Sequence, residues 1–211
     1  MQDFFDLHVS ELRENVESVS KNQQFWLGVV GAPGSGKSTL SNALCKEIGD
    51  ESVIIPMDGY HFYRAQLDVM PNAAEAYRRR GAPFTFDGKR FVRDLTFARQ
   101  TRTGTFPSFQ HGVGDPVEDD IQLDPQHRLV IVEGNYLLLD EEPWCQLAKL
   151  FDETWFLQVD LDVILERLKK RFVNAGMTEA AAIERAEYND IPNAKLIDAQ
   201  SRVKADRIVT V

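Results

Sequence analysis

The chain has 211 residues, with 33 acidic side chains against 24 Lys and Arg and a formal net charge of −9. That length suits one large domain. The acidic balance, with no long basic run, argues against a nucleic-acid partner, whose phosphates are held chiefly by basic side chains; no apolar run approaches the roughly 20 residues that cross a bilayer.

The opening MQDFFDLHVSELRENVE lacks the basic start and apolar middle of a signal peptide, so a cytoplasmic location and no membrane partner are expected. Over 3–20, Phe5, Val9, Leu12, Val16 and Val19 recur at helical spacing and predict an amphipathic helix. It should pack on its own domain; a homodimer seam is the alternative. FWLGVV (25–30) reads as a buried strand, followed by GAPGSGKST and a helix over 37–48. VIIPM (53–57) is a second strand, ending in DGYHF. Residues 64–101 read as mostly helical, broken by GAPFTFDG at 81–88, and the Gly-, Pro- and Asp-rich stretch 103–127 reads as loops or a hairpin over one edge.

RLVIVEG (128–134) and TWFLQVD (154–160) are two more buried strands. Helices are expected over 161–175 and 178–200, split at Gly176 with Thr178 as N-cap, before a last strand, RIVTV. Apolar strands without alternation, separated by helices, predict an α/β fold, a doubly wound parallel sheet covered on both faces. In such sheets ligands sit beyond the carboxyl ends of the strands. Cys45 and Cys145 fall in helical-looking stretches without metal-ligand spacing; they are read as packed thiols with no role.

The first strand end carries the strongest signal. Gly31, Gly36, Lys37 and Ser38 satisfy G-x-x-x-x-G-K-[ST] between a strand and a helix. In that motif the loop Gly31, Ala32, Pro33, Gly34, Ser35, Gly36, Lys37, Ser38 and Thr39 forms a phosphate cradle lined by the backbone N–H groups of its non-proline residues. Lys37 reaches the terminal phosphates and the Ser38 hydroxyl can ligate Mg²⁺. No N-K-x-D or LSGGQ-like segment is present to indicate a guanine-reading switch or a transporter ATPase. A kinase requires a carboxylate at a neighbouring strand end, and Asp58 meets that requirement.

The ordered set GAPGSGKST, MDGYHF, RRGAPFTFD, PSFQH, VIVEGNYLLL, ERLKKRF and NDIPNAKL, spanning nearly the whole chain from about residue 23, resembles the phosphoribulokinase, uridine kinase and bacterial pantothenate kinase superfamily of P-loop kinases, and most nearly its short nucleoside-kinase-like and fructose-transport-system-kinase-like members. The resemblance implies a P-loop NTPase fold: a three-layer αβα sandwich with a five-stranded parallel sheet in the order 2-3-1-4-5 and a helical lid. It implies one kinase domain over 1–211, with an N-terminal helix at 1–22, an acceptor-side segment at about 60–127 and a lid at about 165–180.

It also implies ATP and Mg²⁺ as cofactors and a small hydroxyl-bearing acceptor. Asp58 would orient or deprotonate that hydroxyl, or help hold Mg²⁺. Glu133 would take the Walker B place beside the metal, and Arg167 and Arg171 would be lid cations over the transferring phosphate. Tyr60, His61, Arg79, His111 and Tyr136 are its acceptor-site candidates, with Asn189 and Asn193 near the adenine. Gly-Tyr-His-Phe after Asp58 departs from the Ser-Phe-Tyr of uridine kinases, so the acceptor stays open among sugars, nucleosides and pantothenate-like compounds. The contrasting reading is a nucleotide-dependent regulatory module with slow ATP hydrolysis.

Overall fold

The structure is a computed structural model describing residues 2–110 and 114–210, with side chains from His8 onward. Strands β1 (Phe25–Gly31), β2 (Ser52–Pro56), β5 (Leu129–Gly134), β6 (Glu153–Gln158) and β7 (Arg207–Thr210) form a parallel sheet ordered β2-β5-β1-β6-β7. Counted within that sheet alone, the order is 2-3-1-4-5. The intervening labels belong to an antiparallel pair, β3 (Gly104–Phe109) and β4 (Pro116–Leu123), formed from the stretch read as loops or a hairpin.

Alternation along each strand divides the core. Leu27, Val29, Ile131, Trp155 and Leu157 face one side, and Trp26, Val30, Val130, Val132 and Phe156 the other. Both faces are covered, so every position must be apolar and the strands read as continuous hydrophobic runs. The first face is covered by α1 (Gln2–Ser18) and α2 (Lys37–Ile48). Val9, Leu12 and Val16 are buried there, so the α1 stripe is consumed within its own chain; the Phe5 side chain lies outside the description.

The other face is covered by α5 (Gly88–Thr101), the segment 136–150 and α8 (Ile191–Ser201), with α3 (Arg64–Asp68) and α4 (Ala73–Arg78) preceding α5. Asp87 caps α5, accepting from the Arg90 N–H at 3.0 Å. A third cluster joins α6 (Leu161–Asn174) to α7 (Glu179–Arg185) and α8 through Ile164, Leu168, Phe172 and Ala182. Thr178 caps α7, and a π-helical turn, Ala186–Asp190, carries α7 into α8. Cys45 is partly buried, but Cys145 is exposed, because its short 3-10 turn buries Trp144 instead. Among the described residues no helix is long and apolar enough to cross a membrane.

Candidate active site

Register brings the chemistry together. Glu133 pairs with Val29 of β1 on one side and with Pro56 of β2 on the other. The residues just past those ends, the 31–38 loop and Asp58, therefore emerge beside Glu133. β1 connects toward β2 and β5 toward β6, in opposite directions across the sheet, so a crevice opens beyond the ends of β1 and β5.

The loop has the shape its glycines allow. Gly34 and Gly36 have φ of 77° and 101°, a left-handed backbone unfavourable to side chains, and Gly36 leads into α2. Lys37 Nζ donates to the carbonyls of Gly31 and Ala32 at 2.9 and 3.0 Å, drawing the ammonium under the loop. Ser38 Oγ donates to both Glu133 oxygens, at 2.8 and 3.1 Å. Burial pushes the Lys37 pKa down against the pull of Glu133 and Asp58, and pushes that of Glu133 up against the pull of Lys37 and the Ser38 hydrogen bond. Each ion opposes the shift that burial imposes on the other. The pair Ser38–Glu133 is a hydroxyl and a carboxylate, the hard oxygen donors that suit Mg²⁺.

These groups line one cleft of about 680 Å³, together with Asp58, Arg167 and Arg171. Arg167 reaches across from α6, its Nη1 donating to the carbonyls of Gly34 and Ser35 at 3.3 and 3.2 Å. Its sequence neighbour Glu166 pairs with Lys169, not with either arginine. Arg171 lies within electrostatic reach of Lys37 and of Asp190. The cleft extends past the loop into an apolar arm between α1 and α2, walled by His8, Leu40, Ala43, Trp155 and Val209. These five come from four elements, and no local pattern announced their meeting. Asn135, next to the Glu133-Gly134 pair, also lines the cleft and was likewise missed.

Among the described residues, the acceptor-site candidates Tyr60, His61, Arg79 and Tyr136 do not line this cleft. Tyr60 is 1% exposed, with its hydroxyl donating to Asp94 at 3.1 Å; burial first, and then Asp94, raise its pKa. The strand end that presents Asp58 is anchored by burying the tyrosine that follows. Tyr136 is buried and donates to the Gly81 carbonyl at 2.5 Å, supporting the cleft from behind. The His61 ring packs 4.0 Å from Phe86 and 4.7 Å from Phe109, centre to centre, and its Nδ1 lies 2.9 Å from the Asp58 carbonyl, bracing the segment rather than lining the cleft. Asn189 and Asn193 accept hydrogen bonds from Arg79. His111 lies outside the described residues.

A parallel sheet with a glycine-rich phosphate loop, a hydroxyl–carboxylate pair and a basic helix over one cleft is the architecture of a P-loop nucleotide-dependent enzyme. The chain belongs to the Phosphoribulokinase / Uridine kinase family, whose model matches residues 26–210. It is a small-molecule kinase. It is 41% identical over 192 residues to "Putative uridine kinase C227.14" of Schizosaccharomyces pombe, covering 87% of this chain and 82% of that one. It is 46% identical over 145 residues to the ATP-dependent kinase-like protein notR' of Aspergillus versicolor, covering 65% and 84%. A crystal structure of a "putative fructose transport system kinase" from Silicibacter sp. TM1040 superposes with a TM-score of 0.84 at 31% identity, covering 95% of this chain and 98% of the other.

Proposed function

We propose that this kinase transfers the γ-phosphate of ATP, with Mg²⁺, to a hydroxyl of a small metabolite that is a sugar, a nucleoside or a pantothenate-like compound. The observation that carries this reading is Asp58 in the same cleft as Lys37, Ser38 and Glu133. A carboxylate there accepts a hydrogen bond from the acceptor hydroxyl and takes its proton as the new P–O bond forms. Phosphoryl transfer spreads negative charge over the transferring oxygens, and Lys37, Arg167 and Arg171 are the cations available to oppose it.

Ser38 and Glu133 would hold Mg²⁺, which when bound supplies charge neutralisation at the phosphates. The stretch of about 165–180, which carries Arg167 and Arg171 on α6, acts as the lid in this reading. The apolar arm between α1 and α2 favours a ligand with a base over a bare polyphosphate, because an apolar wall rewards a flat ring and leaves phosphates unsolvated. The names of the Schizosaccharomyces and Silicibacter relatives keep nucleosides and sugars respectively among the acceptors.

The test is Asp58→Asn. ATP affinity should stay within a few-fold of wild type while acceptor-dependent ADP release falls by about 100-fold or more. Normal turnover by the Asn variant would remove Asp58 from the mechanism. ADP release unstimulated by any metabolite would favour the regulatory module instead.

A further inference from the structure

Most polar groups at the phosphate end of the cleft are already engaged within it. Lys37 is bonded to the Gly31 and Ala32 carbonyls, Ser38 to Glu133, and Arg167 to the Gly34 and Ser35 carbonyls. The Asp58 carboxylate and the Asn135 carboxamide also border the cleft, yet among the described residues neither forms a hydrogen bond with another protein group.

Asn135 is the less expected of the two, because it is only 9% exposed. A carboxamide carries two N–H donors and an oxygen acceptor, and burying them unpaired costs stability. After a strand, asparagine ordinarily serves a turn, through a left-handed backbone or a bond from its side chain to the main chain. Neither holds here. Among the described residues the non-glycine positions with positive φ are Arg102 and Asp119, and no main-chain group bonds to the Asn135 side chain.

Register sets this amide beside Asp58. Pro56 pairs with Glu133, so the residues two steps further on, Asp58 and Asn135, leave neighbouring strands at the same level. The residues between are in contact, since a β-carbon at Gly134 would lie 2.7 Å from that of Met57. Neighbouring strands run roughly 4.8 Å apart. A carboxylate and a carboxamide at that spacing suit two oxygens carried on a short carbon skeleton.

We propose that Asn135 binds a second hydroxyl of the acceptor, on a carbon one or two bonds from the carbon bearing the phosphorylated hydroxyl. The acceptor is then a 1,2- or 1,3-diol, and Asn135 is a specificity-determining residue. The inference rests on the kinase reading above, with Asp58 meeting the reacting hydroxyl. A carboxamide is neutral and both donates and accepts, so a hydroxyl satisfies it without bringing charge beside Asp58 and Glu133. An acceptor without that hydroxyl leaves the amide buried and unpaired, the condition under which a site rejects an analogue strongly.

The test measures ADP release by the full chain, with ATP and Mg²⁺, on glycerol, ribose, fructose, uridine and pantothenate. Each responding compound is then compared with a deoxy counterpart that keeps the reacting hydroxyl and lacks its neighbour. Loss of the neighbour should lower kcat/KM by about 10- to 100-fold in the wild type. Asn135→Leu, of similar volume, should lose about as much with the full diol, show no further loss with the deoxy compound, and keep the KM for ATP. Because the amide is unpaired in the fold, Asn135→Leu should also keep or raise the urea midpoint. Asn135→Ala provides the same comparison with a smaller side chain.

A deoxy compound used as well as its parent by the wild type, or a deoxy penalty that persists in both variants, would overturn the proposal and leave the kinase reading standing. So would a rise in the KM for ATP rather than for the acceptor, which would assign Asn135 to the nucleotide. A marked fall in the urea midpoint of both variants would make the amide structural, with the same consequence. No stimulation by any of the compounds would overturn both readings.

Discussion

A β-carbon added at Gly59 would sit 2.1 Å from the Pro107 carbonyl oxygen, so the segment presenting Asp58 can lie against β3 only where a side chain is missing. Gly59→Ala should therefore push the segment and the hairpin apart, costing about 1–3 kcal/mol as for other overpacked sites. Urea unfolding measures the stability loss, and a fall in kcat at unchanged ATP affinity reports the displaced Asp58. Asp190 shows the opposite balance. Burial pushes its pKa up to about 6, so its ionised form opposes folding above that pH, and the cost fades as pH falls toward the unfolded value near 3.8. Asp190→Asn should raise the urea midpoint at pH 7.5 and raise it less at pH 5. At the loop, Lys37→Ala should weaken ATP binding and turnover together, measurable by calorimetry and ADP release, because in the proposed reaction Lys37 would serve the bound and the reacting phosphate alike.

At the level of elements, the hairpin is held by a polar network as well as by Phe106 and Leu123, which are buried in the core. Arg90 of α5 donates to both Glu118 oxygens at 2.8 and 2.6 Å, and Tyr63 donates to Glu118 at 2.6 Å. Arg90 also pairs with Asp94, the acceptor of the Tyr60 hydroxyl, so β4, α5 and the Asp58 segment share one network. Arg90 leads in holding the Glu118 pKa down at about 2. A depressed carboxylate stabilises the fold above its unfolded pKa near 4.5, and that contribution fades as pH falls toward 2. Glu118→Gln should lower the urea midpoint at pH 7, and the gap from wild type should narrow below pH 4. Because Glu118 is 39% exposed by side chain, solvent screening keeps the effect small.

Across the molecule, α1 closes one face of the sheet. Leu12 is fully buried, and Arg207 of β7 hydrogen-bonds to Glu11, His8 and Glu153, tying the first helix to the last strand. Leu12→Ala should cost about 2–5 kcal/mol, and sedimentation should show the same oligomeric state as wild type, because that side chain packs within its own chain. A change of oligomeric state would restore the α1 seam as an interface.

What the sequence determined by itself was local or periodic. The α2 helix runs over 37–48 as read because Gly36 and the Lys-Ser pair mark its start, and all five strands of the parallel sheet were legible, most of them because two covered faces demand unbroken apolar runs. Thr178 as a cap and Glu133 beside Ser38 were legible for the same reason, each following from its strand or helix end. What only the tertiary structure decided was the facing of individual side chains. Tyr60 and Tyr136 sit next to chemistry in the chain but turn inward to Asp94 and the Gly81 carbonyl. Asn189, far away in sequence, meets Arg79, and His8 meets Val209 along the cleft. A side chain's direction depends on which distant element fills the space beside it, and residue type and spacing carry no record of that partner.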